Sequence, residues 1–223
     1  MVWRREDIKY TVFFFEFLGT FILSMSFCTF WHYSMNFNVI IPFAAVSLLL
    51  CYQICSPICG GHFNPAITFA SFLTNLSLKN LVIMLFVWVA QYTGAFCAMF
   101  LTRAFRIKTK AIYYNVGDKY YPKISWFGAQ LQENVLSIDH NKFASEVGLA
   151  QIAFSEFFCS FIFCVCTLKL LWDVEKAGNK QNTLYFVSIA LVYAATLTLD
   201  YPIATGVLNP AVGAAIVVQA QVW

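Results

Sequence analysis

The chain has 223 residues, of which 60% are hydrophobic and 11% charged, with 24 phenylalanines and a mean hydropathy of +0.68. An ordinary soluble domain carries about 25% charged residues, so this composition leaves too little polar surface for a water-soluble fold and points to one integral membrane domain, residues 1–223, in contact with the lipid bilayer. The net charge of +3 is small and spread along the chain, which does not indicate a nucleic-acid partner.

In chain order, a mixed-charge N-terminus (Arg4, Arg5 and Lys9 against Glu6 and Asp7) leads into Thr11 to Trp31, apolar apart from Glu16 and a few hydroxyls. That run is long enough to span a bilayer and too long for the apolar part of a signal peptide. Val39 to about Ser56 is a second span and Leu81 to about Leu101 a third, closed by Arg103 and Arg106. Residues 104–145 form the only long polar segment, and Gly117-Asp118 within it suggests a structured surface loop. Val147 to Trp172 and Thr183 to about Leu199 are the fourth and fifth spans, with Asp200 expected at a helix end near solvent and Lys169 snorkelling to the interface. Trp31, Trp172 and Trp223, at the ends of apolar runs, read as interface anchors.

The eight cysteines lie in or beside apolar stretches, with no C-x-x-C pair and no histidine at metal-site spacing. They read as small buried hydrophobes, and no metal or cofactor is implied. Cys55 and Cys59 lie nearest the motif described next and are candidates for lining a conduit. No nucleophile–base pair or phosphate loop occurs, so an enzyme is not indicated.

Two stretches carry the chemistry. Gly60-Gly61-His62-Phe63-Asn64-Pro65-Ala66-Ile67-Thr68 and Thr205-Gly206-Val207-Leu208-Asn209-Pro210-Ala211-Val212-Gly213 are each a glycine-containing turn followed by Asn-Pro-Ala. Asn as N-cap with Pro at the first helical position starts a helix. About ten apolar residues follow the first motif, a rise of about 15 Å, half the hydrocarbon thickness. Two half-length helices in the two halves of a membrane chain suggest broken helices meeting at the midplane around a site.

The halves repeat. Phe14, Glu16, Phe17, Thr20, Phe21 and Ile22 fall on Phe154, Glu156, Phe157, Ser160, Phe161 and Ile162, 140 positions on (156 − 16), and the two asparagines are 145 apart (209 − 64). Three spans separate Glu16 from Glu156, so the copies enter the membrane from opposite sides, as an inverted repeat. The first repeat covers about 1–106 and the second about 146–223. A counterpart of Leu81–Arg103 should begin near position 226 (81 + 145), past Trp223. The expectation is therefore that a sixth spanning helix is missing from this chain, carried by a longer product or supplied by another polypeptide.

Gly60-Gly61-His62-Phe63-Asn64-Pro65-Ala66-Ile67-Thr68 resembles the G-x-H-x-N-P-A-x-T signature of the aquaporins, the major intrinsic protein family. Ala90-Gln91-Tyr92-Thr93-Gly94-Ala95 is similar to that family's third helix, Glu16 and Glu156 to its buried glutamates, and Thr205-Gly206 with Asn209-Pro210-Ala211 to its second signature. The resemblance covers nearly all of the chain. It implies an all-α membrane protein with an aquaporin-like inverted repeat, here five spanning helices plus two Asn-Pro-Ala half-helices. It also implies a homotetramer with one pore per subunit, and a plasma-membrane location with the N-terminus inside. Asn64 and Asn209 would aim amide donors at passing water, while the two half-helix dipoles disfavour cations and protons. The sequence departs from the family at Val212, where the family has arginine in its outer filter. Family spacing puts Ala44 and Leu197 at neighbouring filter positions, which would make that filter wider and more apolar.

The bland readings are specific too. Asn64 and Asn209 could be plain helix caps, but their duplication at matched positions favours the conduit. Glu16 and Glu156 are ionisable groups inside spans, for which the structural role of accepting N–H groups from the re-entrant turns is preferred, with Gln91 beside them in that role. His62 either lines the pore or bonds the turn. Seven Lys/Arg fall on each side of the membrane out of 14 in all, so charge does not orient the chain, and a basic outer loop leaves an organellar membrane such as the mitochondrial inner membrane as the alternative. Two functions are carried: a passive channel for water and small neutral solutes, and an aquaporin-derived, non-conducting subunit of a hetero-oligomeric membrane complex.

Overall fold

A computed structural model describes residues 10–32, 37–105, 113–116, 119–122, 149–176, 182–200, 203–204 and 207–221. Among them are seven α-helices: α1 (Tyr10–His32), α2 (Phe37–Cys59), α3 (Pro65–Thr74), α4 (Leu78–Ala104), α5 (Leu149–Lys176), α6 (Asn182–Asp200) and α7 (Pro210–Gln221). Five of them, α1, α2, α4, α5 and α6, are long and apolar enough to cross a membrane. At 23 residues α1 rises about 34 Å, whereas the 10 residues of α3 rise about 15 Å and cannot cross. The protein is an integral, multi-pass membrane protein whose described spans are all α-helical. The polar segment adds only a short antiparallel hairpin, β1 (Tyr113–Val116) and β2 (Lys119–Pro122), on either side of Gly117-Asp118; the rest of that segment lies outside the described residues.

Helix limits follow local chemistry. Asn64 caps α3 with extended backbone (φ −153°, ψ 121°) and its side chain accepts the Ala66 N–H, while Pro65 takes the first helical position. Ser77 caps α4, accepting the Asn80 N–H at 3.2 Å. In α2 the helix runs past Ser56 and through Pro57 to Cys59, one turn beyond the expected end.

The two halves pack as related units. α1 lies against α2 and α4, α5 against α6, and α2 against α6 at the centre. α3 packs against α4 and α5, while α7 packs against α1 and α4, so each half-helix reaches across into the other half. Small residues set the closest approaches. A Cβ on Gly94 of α4 would lie 2.4 Å from the Phe17 carbonyl oxygen of α1, and one on Gly19 would lie 2.2 Å from the Phe63 ring. Glycine at these points lets backbone and ring come together in the membrane interior.

Two expectations change, one at Asp200 and one at two of the cysteines. Asp200 does end α6, but it is fully buried and accepts the Ser155 hydroxyl of α5, and the Ile203 and Ala204 N–H groups both donate to the Asp200 carbonyl oxygen. Cys97 is exposed and Cys166 half-exposed on outer helix faces, while the other six cysteines are buried; all are free thiols. Lys169 is exposed and pairs with Asp173 one turn on, at 2.6 Å. Trp172 is exposed, its ring 5.0 Å below the Lys176 ammonium, whereas the side chains of Trp31 and Trp223 lie outside the described residues.

Candidate functional site

The two Asn-Pro-Ala motifs meet, and they are joined through their asparagines. Asn64 Nδ2 donates to the Leu208 carbonyl oxygen at 2.8 Å, and Asn209 Nδ2 donates to the Phe63 carbonyl oxygen at 2.9 Å. Each asparagine's Oδ1 meanwhile accepts from its own helix, from Ala66 N–H at 2.9 Å and from Ala211 N–H at 3.1 Å. Both residues are buried. α3 and α7 are in contact, so two helix N-termini, the positive ends of their dipoles, point at one junction.

The acceptor carbonyls owe their direction to an unusual backbone. Phe63 and Leu208, each just before its asparagine, adopt positive φ of 50° and 52°. A non-glycine side chain in this region costs about 1 kcal/mol or more, and the cost is met at the same position in both motifs. In this conformation each carbonyl faces the opposite asparagine. Gly60 and Gly61, also at positive φ (93° and 77°), bring the first turn back from α2.

Support for the first turn is dense. Glu16 is fully buried, and its carboxyl oxygens accept the His62 N–H at 2.9 Å, the Phe63 N–H at 2.8 Å and the Gln91 side-chain N–H at 2.9 Å. Gln91 donates also to the Thr68 hydroxyl at 2.9 Å, and the Trp88 indole N–H holds the Pro65 carbonyl at 3.0 Å. Backbone N–H groups in a re-entrant turn have no water to meet and need buried acceptors. At the second turn, half-buried Glu156 accepts the Leu208 N–H at 3.4 Å, and the Tyr193 hydroxyl donates to the Val207 carbonyl at 3.2 Å.

The remaining candidate residues fall as follows. His62 is buried beside Glu16, held through its backbone N–H. Ala44, Leu197 and Val212 are all buried in the one apolar core, on α2, α6 and the first turn of α7. Cys55 and Cys59 are fully buried, the Cys59 thiol donating to the Cys55 carbonyl at 3.2 Å. Thr68, Phe63 and Leu208 complete the junction without having been singled out as sites. Phe63 and Leu208 hold matched positions just before the two asparagines, so comparing the motifs would have marked them, whereas Thr68 is the final residue of the first signature and stands opposite Gly213. Nothing in the sequence marks Tyr193 or the Ser155–Asp200 pair, which depend on helix packing.

Among the described residues no group of His, Cys, Asp and Glu is placed to hold a metal ion. Three buried hydroxyls lack a protein partner among those residues: Ser24 on α1, Tyr52 on α2 and Thr167 on α5. A search of curated proteins found no match. The family model of the major intrinsic proteins matches residues 10–223. With that match running from the first helix to the last, over both re-entrant half-helices and their paired asparagines, the chain belongs to the major intrinsic protein family of membrane channels.

Proposed function

We propose that the chain is a passive channel for water and small neutral solutes, conducting through the junction of α3 and α7. The observation that carries this reading is the reciprocal pairing of Asn64 and Asn209 across the two halves. A primary amide has two N–H groups. One from each asparagine is bound to the opposite turn, which fixes the side chain and leaves the other as a donor to a solute. Two helix N-termini converging on the same point disfavour cations and protons. In this reading Ala44, Leu197 and Val212 form an apolar filter without a charge, one pore serves each protomer of a homotetramer, and the plasma membrane is its site.

Osmotic shrinkage of proteoliposomes tests it. Water permeability well above that of empty vesicles is expected, and permeability equal to empty vesicles would sink the channel reading. Replacing Val212 with arginine adds a charge and hydrogen-bond donors beside Asn209, and is expected to slow neutral solutes larger than water more than water itself.

A second reading, a non-conducting subunit of a larger membrane complex, has one observation in its favour. Phe157 and Phe161 on α5 are 68% and 57% exposed, whereas their counterparts Phe17 and Phe21 on α1 are half-buried beneath α4. An apolar groove of about 630 Å³ continues this face between α5 and α6, lined by Phe154, Phe158, Leu199 and Ile203 among others. Such a surface suits another protein as well as lipid.

A further inference from the structure

Among the described residues Tyr52 and Tyr193 are the two largest fully buried side chains, and each touches a re-entrant turn. Tyr193 is conventional: its hydroxyl donates to the Val207 carbonyl at 3.2 Å, and its ring rests on Phe163 with centroids 4.9 Å apart. Tyr52 is different. Its ring stacks on Phe186 of α6 at 5.4 Å and 22°, and meets Phe63 edge-on at 5.4 Å. Phe63 is the residue whose carbonyl holds Asn209. Yet the Tyr52 hydroxyl, with no exposed surface, has no hydrogen-bond partner among the described residues. Buried phenols usually find a partner, and leaving one unmade is costly. Phenylalanine would satisfy the same two ring contacts without that cost.

We propose that Tyr52 is a specificity-determining residue of the conduit: its ring narrows the path beside the asparagine junction, and its hydroxyl is the hydrogen-bond partner of the solute in passage. The inference rests on the channel reading and adds a polar contact on α2 that neither motif contains. Asn64 and Asn209 offer donors to the solute, whereas a phenol both donates and accepts. A solute entering this narrow point gives up hydration and recovers part of it at the hydroxyl.

The tests use the intact chain in proteoliposomes. Tyr52→Phe keeps both ring contacts, and is expected to lower water permeability about threefold to tenfold, the worth of one hydrogen bond in a barrier. Tyr52→Ala removes the ring and is expected to raise permeability to urea and glycerol relative to water. Unchanged water permeability in Tyr52→Phe overturns the proposal. A readout that needs no flux is radiolytic hydroxyl-radical labelling of the wild-type protein, in which radicals formed from water oxidise the side chains beside it. Tyr52 is expected to label several times faster than the equally buried Tyr193, and labelling at or below the Tyr193 rate overturns the proposal. A wild-type permeability equal to empty vesicles removes the channel reading, and the labelling result then decides by itself whether water reaches Tyr52.

Discussion

Glu16 and Glu156 occupy equivalent places on α1 and α5 and serve equivalent turns, yet they are held very differently. Glu16 is sealed beneath α4 and accepts two backbone N–H groups and the Gln91 amide, all within 2.9 Å. Glu156 is half-buried and accepts the Leu208 N–H at 3.4 Å. The difference lies in the packing partner. α4 brings Gln91 to Glu16, and its Gly94 allows α4 to seat on the backbone of α1 at Phe17. On α5 the corresponding face, Phe157 and Phe161, is exposed. One residue type at equivalent places is thus packed over by a helix in one half and half-buried in the other.

Four substitutions would break or sharpen this comparison, read as thermal unfolding in detergent. Glu16→Gln comes first, because an amide can accept from only one of its two ends and turns a donor toward a backbone N–H. A loss of about 3 kcal/mol is expected, since bonds to a charged group are worth roughly 1.5–3 kcal/mol each and the site has no water to substitute. Gly94→Ala follows, at about 2 kcal/mol, because the new methyl must move rigid backbone rather than a side-chain tip. Glu156→Gln should cost less, about 1 kcal/mol, as the bond from the Leu208 N–H is long at 3.4 Å and the residue is half-buried. If Glu156→Gln proved as damaging as Glu16→Gln, the asymmetry drawn between the halves would be wrong. Smallest is Gly213→Ala in α7, where the nearest atom to a new Cβ is a Val207 methyl at 3.9 Å. With room available, a helical glycine replaced by alanine should leave stability unchanged or raise it by about 0.5 kcal/mol. A marked loss there would mean that the face is covered by something the chain's described residues do not supply.

Much of this architecture was legible in advance. The spans could be read because the bilayer demands about 20 apolar residues for each crossing. α3 was legible because its Asn-Pro start and apolar run of about ten residues fit a half-crossing. Even Glu16 as an acceptor for turn N–H groups follows from a carboxyl group with no water nearby. Other features resisted reading. Asp200 looked like a solvent-facing terminus because a charged residue before Tyr201-Pro202 usually is one, but Ser155 on another helix closes over it. Cys97 sits in as apolar a stretch as Cys51, and only the rotation of α4 decides that it is exposed. Tyr52 resembles any aromatic in a membrane helix until its hydroxyl is found unmatched between Phe63 and Phe186.

The sequence by itself determined the covalent repeat, the order of spans and half-spans, and the identity of the paired asparagines, because hydropathy, helix caps and motif spacing are local properties. Tertiary structure alone decided which carbonyls those asparagines bind, what packs over each carboxyl group, and which buried hydroxyls are left without a partner among the described residues. Those outcomes depend on the positive φ of Phe63 and Leu208 and on contacts between residues more than a hundred positions apart. Such contacts form only when the two halves of the bundle close on each other.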